Sequence, residues 1–146
     1  MSRALILLPQ QGFDPTEVAV PWKALAEAGH EVVFATETGA KPACDAVTLT
    51  GQGLPLYARF LRAHEANRAL YGEMAACASF NTPVAWADVV ASHYALIHFP
   101  GGHAPQMRPD TTMQPVIGQI EYGLDAGGRG FAEQLLDAFR IIVIAA

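Results

Sequence analysis

The chain has 146 residues, of which 51% are hydrophobic and 16% charged, and its 14 acidic against 9 basic side chains give a net charge of −5. This length and apolar content suit one domain with its own core, and they exclude a disordered chain or a small disulfide-dependent scaffold. The excess of acidic side chains argues against the basic patch of a nucleic-acid binder. The chain has no run of ~20 apolar residues that would predict a membrane span, and its first apolar stretch is too short for a leader. We therefore expect a cytoplasmic protein without nucleic-acid or membrane partners.

The first 36 residues predict a β-α-β unit. Arg3–Leu8 is a short apolar run that is typical of a strand buried on both faces. Asp14, a proline and then Glu17 mark a helix start with Asp14 as the N-cap, and this helix is expected to end at Gly29. Glu31–Thr36 predicts a second strand, parallel to the first because the connection is a crossover.

The middle of the chain is expected to add a helical insertion over residues 52–88. The composition of Pro9–Phe13 is that of a loop, and Asp45–Thr50 predicts a short edge strand. Apolar residues recur near a 3.6-residue period over Pro55–Cys77, which predicts a long amphipathic helix or a helix pair. Tyr94–Phe99 is a third candidate for a buried strand.

The last third is less regular. Residues 104–130 carry the prolines and glycines of an irregular segment, Phe131–Phe139 predicts an amphipathic helix, and Arg140–Ala146 predicts a buried strand or an apolar helix end. The elements together predict a single α/β domain over residues 1–146. Its expected architecture is a three-layer sandwich with a mainly parallel, flavodoxin-like sheet that is incomplete or rearranged at the C-terminus.

Two unusual segments follow predicted strands, and ligands of open α/β sheets bind beyond the carboxyl ends of strands. Residues 10–17 follow the first strand, and Pro100–His103 follows the third. If these strands are neighbours, both segments face one crevice. The Gly101–Gly102 pair would let backbone N–H groups approach an oxyanion, although such a turn also simply ends a strand.

Glu17 has two interpretations that compete. At the third position of its helix, its carboxylate could accept the backbone N–H of Asp14 and complement the helix dipole, which requires no function. A carboxyl that points into the crevice could instead hold or accept a proton. Spacing alone favours the first interpretation and leaves the second open.

Histidines and glycines give no cofactor signal. His93, His98 and His103 recur every five residues, which alternates the faces of a strand and does not gather three imidazoles around a metal. His98 fits a strand-end histidine of the core, and His103 is the one expected to be exposed in a site. The glycines of residues 127–130 lack the spacing of a nucleotide-binding motif. We therefore expect neither a metal nor a cofactor.

Cys44 and Cys77 are the two cysteines of the chain. They form no C-x-x-C motif and no cysteine-histidine spacing, so neither a zinc site nor a disulfide framework is indicated. Both are expected to be free thiols.

The segments ALILLPQQGFDPTEVAVPWKALAEAGHEVVFAT and ADVVASHYALIHFPGGHAPQMR resemble the ThiJ/PfpI superfamily, with its class I glutamine amidotransferase-like fold, over residues 1–108. The likeness rests on Glu17 with Pro21 four residues later, the AGH entry to the second strand and the PGGH turn. It implies that Glu17 contacts the thiol of a nucleophilic cysteine and that Gly102 supplies an oxyanion N–H. His103, beside them, is the third catalytic candidate.

The chain departs from the family at the nucleophile, because no strand-to-helix elbow with a C-H-G sequence occurs and neither Cys44 nor Cys77 fits one. We therefore expect a ThiJ/PfpI-like domain without cysteine-dependent activity that retains a binding or assembly role. The alternative is a cysteine-dependent hydrolase or glyoxalase III-like enzyme, of deglycase or amidotransferase type, in which His103 or one of these cysteines replaces the nucleophile. Its substrate would be a small carbonyl or amide compound.

A third hypothesis is an interaction protein. The helix predicted over Pro55–Cys77 and an unpaired edge of an incomplete sheet would favour dimerisation or the binding of client proteins. The partner expected on this basis is a second copy of the chain, which would give a homodimer.

Overall fold

The computed structural model describes residues 1–53 and 62–101. Its strands and helices are, in chain order, β1 (Arg3–Leu7), β2 (Gln11–Phe13), α1 (Pro15–Glu27), β3 (Glu31–Thr36), β4 (Ala43–Cys44), α2 (Ala46–Thr50), α3 (Glu65–Ala76), α4 (Ala78–Asn81), β5 (Val84–Ala85) and β6 (Leu96–His98). Two 3-10 helices, Trp86–Asp88 and Ala91–His93, lie between β5 and β6.

Four strands form a parallel sheet in the order β5-β3-β1-β6. β1 pairs with β3 from Arg3 opposite Glu31 onwards, and with β6 from Ala4 opposite Leu96 onwards. This sheet confirms the predicted α/β, flavodoxin-like architecture. It also makes β1 and β6 neighbours, as the crevice hypothesis requires.

The central strand β1 is apolar after Arg3, because residues 4–7 are covered on both faces of the sheet. Leu5 and Leu7 pack in one buried cluster, while Ile6 and Leu8 pack in the other, as the alternation of side chains along a strand requires. The second cluster is covered by α1 and α3, whereas the first is closed by the segment that carries the two 3-10 helices. The two clusters therefore form layers above and below the sheet.

Helix α1 begins where the sequence predicted. The Asp14 carboxylate accepts hydrogen bonds from the backbone N–H groups of Thr16 at 2.7 Å and Glu17 at 3.3 Å, which satisfies two of the donors that open a helix. The helix ends before Gly29, whose φ of +82° is the left-handed conformation that favours glycine after a helix. The predicted strands Glu31–Thr36 and Tyr94–Phe99 are confirmed as β3 and, in shorter form, β6.

The edge strand predicted over Asp45–Thr50 is wrong, because this segment is helix α2. The Asp45 side chain accepts from the Val47 N–H at 2.8 Å and caps the helix, and Gly51 ends it with a φ of +78°. The loop predicted over Pro9–Phe13 contains β2, which pairs in parallel with β4.

Helix α3 confirms the amphipathic prediction over Pro55–Cys77 from Glu65 onwards, while residues 54–61 lie outside the described part. The predicted helical insertion of residues 52–88 also contributes β5, which pairs with β3 at the edge of the sheet. Phe80 of α4 stands edge-on to the rings of Phe34 and Tyr71, with centroids at 5.2 and 6.1 Å. This aromatic contact fixes the helices on the sheet.

The predictions for residues 104–130, Phe131–Phe139 and Arg140–Ala146 lie outside the described residues. Within the described ranges, no helix has the length and apolar character needed to cross a bilayer.

Candidate functional site

The crevice lies where the strand order diverges around β1. The chain passes from β1 through α1 to β3 on one side, while β6 joins β1 on the other side. The segments that follow β1 and β6 meet at the carboxyl ends of these strands, and the Asp14 N–H donates to the Gly101 carbonyl at 3.4 Å. The two segments therefore lie together, as the sequence predicted for neighbouring strands, and this end of the sheet is where ligands of such sheets usually bind.

The Glu17 carboxyl lies directly against Gly101. A Cβ placed on Gly101 would be 3.2 Å from the Glu17 Cδ and would collide with its Oε2. Gly101 is exposed and Glu17 is half-buried. The contact of the Glu17 carboxyl with Gly101 is the one that the crevice interpretation requires, and the role of this carboxyl stays a prediction.

His98 ends β6 and contacts the start of α1. Its Nε2 lies 3.0 Å from the backbone carbonyl oxygen of Glu17, and the residue is 7% exposed. Because a carbonyl only accepts, Nε2 carries the proton and donates. Burial lowers the pKa of His98 below its usual value, so the ring is neutral at pH 7. The predicted strand-end histidine is confirmed.

Cys44 is a half-buried thiol on β4, and it shares a hydrogen bond with the Tyr71 hydroxyl. Burial raises the pKa of the Cys44 thiol, and the nearby carboxylates of Asp45 and Asp14 raise it further. The hydrogen bond with Tyr71 acts in the opposite direction without reversing the shift. Burial and this thiol together raise the pKa of Tyr71 as well. Cys44 is therefore held as a protonated thiol at neutral pH.

Cys77 lies between α3 and α4 rather than at the carboxyl end of β1 or β6. Its Sγ is 3.6 Å from the hydroxyl of Ser79, and it packs partly against the core cluster beneath the helices. Both cysteines are free, as the sequence predicted.

Gly102 and His103 lie outside the described residues, so the predicted oxyanion and catalytic roles of these two stay predictions, as does the catalytic role of Glu17. Two contacts escaped sequence reasoning: the bond between His98 and the Glu17 carbonyl, 81 residues apart, and the pairing of Cys44 with Tyr71. No local sequence pattern predicts contacts between segments so distant in the chain.

The neutral state of His98 predicts a loss of stability on acidification. Its pKa lies below the usual value of 6.5 in the folded chain, so the unfolded chain takes up the proton first as the pH falls. From about pH 7.5 down to the folded-state pKa, the free energy of unfolding should fall by up to ~1.4 kcal/mol per pH unit from this group. Urea unfolding of the wild type and of His98→Gln across this range measures the difference. Equal pH slopes for the two proteins would contradict the assignment.

Comparisons with known proteins cover this same region. A family model described as ThiJ/PfpI family-like matches residues 8–120. An uncharacterized protein of Schizosaccharomyces pombe is 30% identical over 102 residues, which cover 68% of this chain and 37% of the yeast protein. The match thus spans little more than a third of that curated relative. The family match includes Glu17, His98 and Gly101.

Proposed function

Because this chain belongs to the ThiJ/PfpI-like family, we propose that it is a small-molecule binding domain whose crevice takes a small carbonyl or amide compound. The Glu17 carboxyl and the turn at Pro100–Gly101 form the binding groups. The chain binds without a nucleophile from Cys44 or Cys77.

The placement of the Glu17 carboxyl against Gly101 carries this proposal. Glu17 opens the helix that follows β1 and β2, Gly101 follows β6, and β1 and β6 are neighbouring parallel strands whose carboxyl ends are where ligands of such sheets bind. A carboxylate accepts N–H or O–H donors, which an amide or a hydrated carbonyl compound supplies. The position of Glu17 in the first turn of α1 also stabilises its negative charge through the helix dipole.

The surroundings of Cys44 support binding rather than covalent catalysis. A catalytic cysteine reacts as the thiolate, which requires a lowered pKa beside cationic groups or a helix N-terminus. The pKa of Cys44 is raised by burial and by the carboxylates of Asp45 and Asp14. The packing of Cys77 between two helices supports the same conclusion.

Binding is tested with acetamide as the probe. Glu17→Gln in the 146-residue chain should raise the acetamide dissociation constant about tenfold, because the acceptor oxygen loses its charge and a hydrogen bond to a neutral acceptor is weaker. The matched control is Glu27→Gln, which removes a carboxylate from the other end of α1 and should leave the dissociation constant unchanged. Chemical-shift titration by NMR measures both. The same weak affinity in the wild type and Glu17→Gln would refute the proposal.

The cysteines are tested by alkylation and turnover. Iodoacetamide should modify Cys44 more slowly than it modifies glutathione, since less of the buried thiol is ionised. Methylglyoxal should not be consumed faster than in buffer. Turnover that disappears in Cys44→Ser or Cys77→Ser would instead establish the cysteine-dependent hydrolase or glyoxalase III-like enzyme, and would overturn the proposal.

A further inference from the structure

We propose that His98 is a positioning residue whose Nε2–H holds the Glu17 backbone carbonyl, so that the Glu17 carboxyl stays against Gly101. This inference rests on the proposed function only in taking Glu17 as the ligand-binding group. It assigns to His98 a role that acts through Glu17, without contact with the ligand.

Pro21 explains why this carbonyl needs a donor from outside the helix. In a regular α-helix, the Glu17 carbonyl would accept from the N–H four residues later, which is the position of Pro21. Proline has no N–H, and its ring displaces the carbonyl four residues before it. Helix α1 nevertheless continues through Pro21 to Glu27. The donor that a regular helix would supply is therefore missing at Glu17.

His98 supplies a donor at this point. Its Nε2 is 3.0 Å from the Glu17 carbonyl oxygen, across the interface between β6 and α1. The ring is 7% exposed, so water does not compete freely for this bond. Burial lowers the pKa of His98, which keeps one proton on the ring at pH 7, and the accepting carbonyl places that proton on Nε2. The Glu17 carbonyl is thus satisfied by the N–H of a buried side chain.

The first turn of α1 is consequently held at two points, one on β6 and one on the turn that follows β6. The Asp14 N–H donates to the Gly101 carbonyl, and three residues later the Glu17 carbonyl accepts from His98. The Glu17 side chain starts between these anchors and ends on Gly101. With its backbone held on both sides, the Glu17 side chain starts from one position relative to the turn, which favours the precision that a binding group needs.

The test is a double-mutant cycle between His98 and Pro21 in the full chain. His98→Leu should raise the unfolding equilibrium constant about tenfold, since the Glu17 carbonyl loses its donor. In the Pro21→Ala background the same change should cost about twofold, because the alanine N–H donates to that carbonyl. The ¹³C signal of the Glu17 carboxyl should shift in His98→Leu and return in the double variant.

A packing role for His98 gives a different result. If the imidazole only filled space, His98→Leu would cost the same with and without Pro21→Ala, and this additivity would overturn the proposal. His98→Gln keeps a side-chain N–H and should leave the Glu17 signal near its wild-type position. A shift as large as that in His98→Leu would also overturn it.

Two further outcomes concern the folding of the variants and a failure of the wild type to bind acetamide. If His98→Leu alone does not fold, the double variant is expected to fold, and a double variant that stays unfolded overturns the proposal. Unfolding and the Glu17 signal are measured without ligand. A wild type that fails to bind acetamide therefore refutes the proposed function and leaves the outcome of the cycle intact.

Discussion

Gly101→Ala is expected to displace the Glu17 carboxyl and to weaken acetamide binding by about tenfold or more, while the fold persists. The added Cβ would collide with Oε2, the far end of a flexible side chain, so the side chain rotates away and the backbone stays. Gly101 does not have a left-handed φ, so alanine brings no backbone strain. The free energy of unfolding should change by less than ~1 kcal/mol, below the usual cost of overpacking a rigid core.

Gly72→Ala is the matched control for this substitution. A Cβ on Gly72 meets nothing within 4 Å, and the residue lies inside α3. This change should stabilise the chain by about 0.5–1 kcal/mol and leave acetamide binding unchanged. In a Glu17→Asp background the carboxyl side chain is one methylene shorter. Gly101→Ala should then have almost no further effect on acetamide binding. Wild-type affinity in Gly101→Ala alone would contradict the proposed position of the carboxyl.

Phe80→Ala is expected to cause the largest loss of stability, about 3–5 kcal/mol of the free energy of unfolding. The Phe80 side chain is fully buried and stands edge-on to the rings of Phe34, Tyr71 and Phe13. Such pairs add to the burial of each ring, so the cavity removes several contacts at once. Small domains have only about 5–15 kcal/mol of stability in total, so a clear shift of the urea midpoint follows.

Val90→Ala provides the comparison for Phe80→Ala. Val90 is 44% exposed, and its truncation should change the free energy of unfolding by less than ~0.5 kcal/mol. Urea denaturation followed by circular dichroism measures both variants. Similar midpoints for the two would mean that the aromatic cluster does not hold α4 on the sheet.

The β1-α1-β3 unit was predictable because its signals are local. An apolar run, an aspartate before a proline and a terminal glycine each act within a few residues, and the structure has all three. Asp45–Thr50 was assigned wrongly because its alternating pattern suggests a strand. The cap that Asp45 provides and the left-handed Gly51 decide in favour of a helix.

The candidate site was predictable only in part. The topology rule for parallel sheets brought residues 10–17 and Gly101 together, since it depends only on which strands are neighbours. It could not choose between the two roles of Glu17, because both place the carboxyl at the start of the same helix. That choice depends on contacts between segments far apart in the chain, such as the one between the Glu17 carboxyl and Gly101.

The short pair of β2 and β4 has a consequence for how the molecule opens. β2 is followed by Asp14, which caps α1, and β4 is followed by Asp45, which caps α2. The Asp45 N–H also donates to the Phe13 carbonyl at 2.9 Å, so the two caps are joined through the ribbon. Local unfolding that separates these strands would release the start of both helices together. We therefore expect the amide hydrogens at the start of α1 and those of α2 to exchange as one cooperative unit.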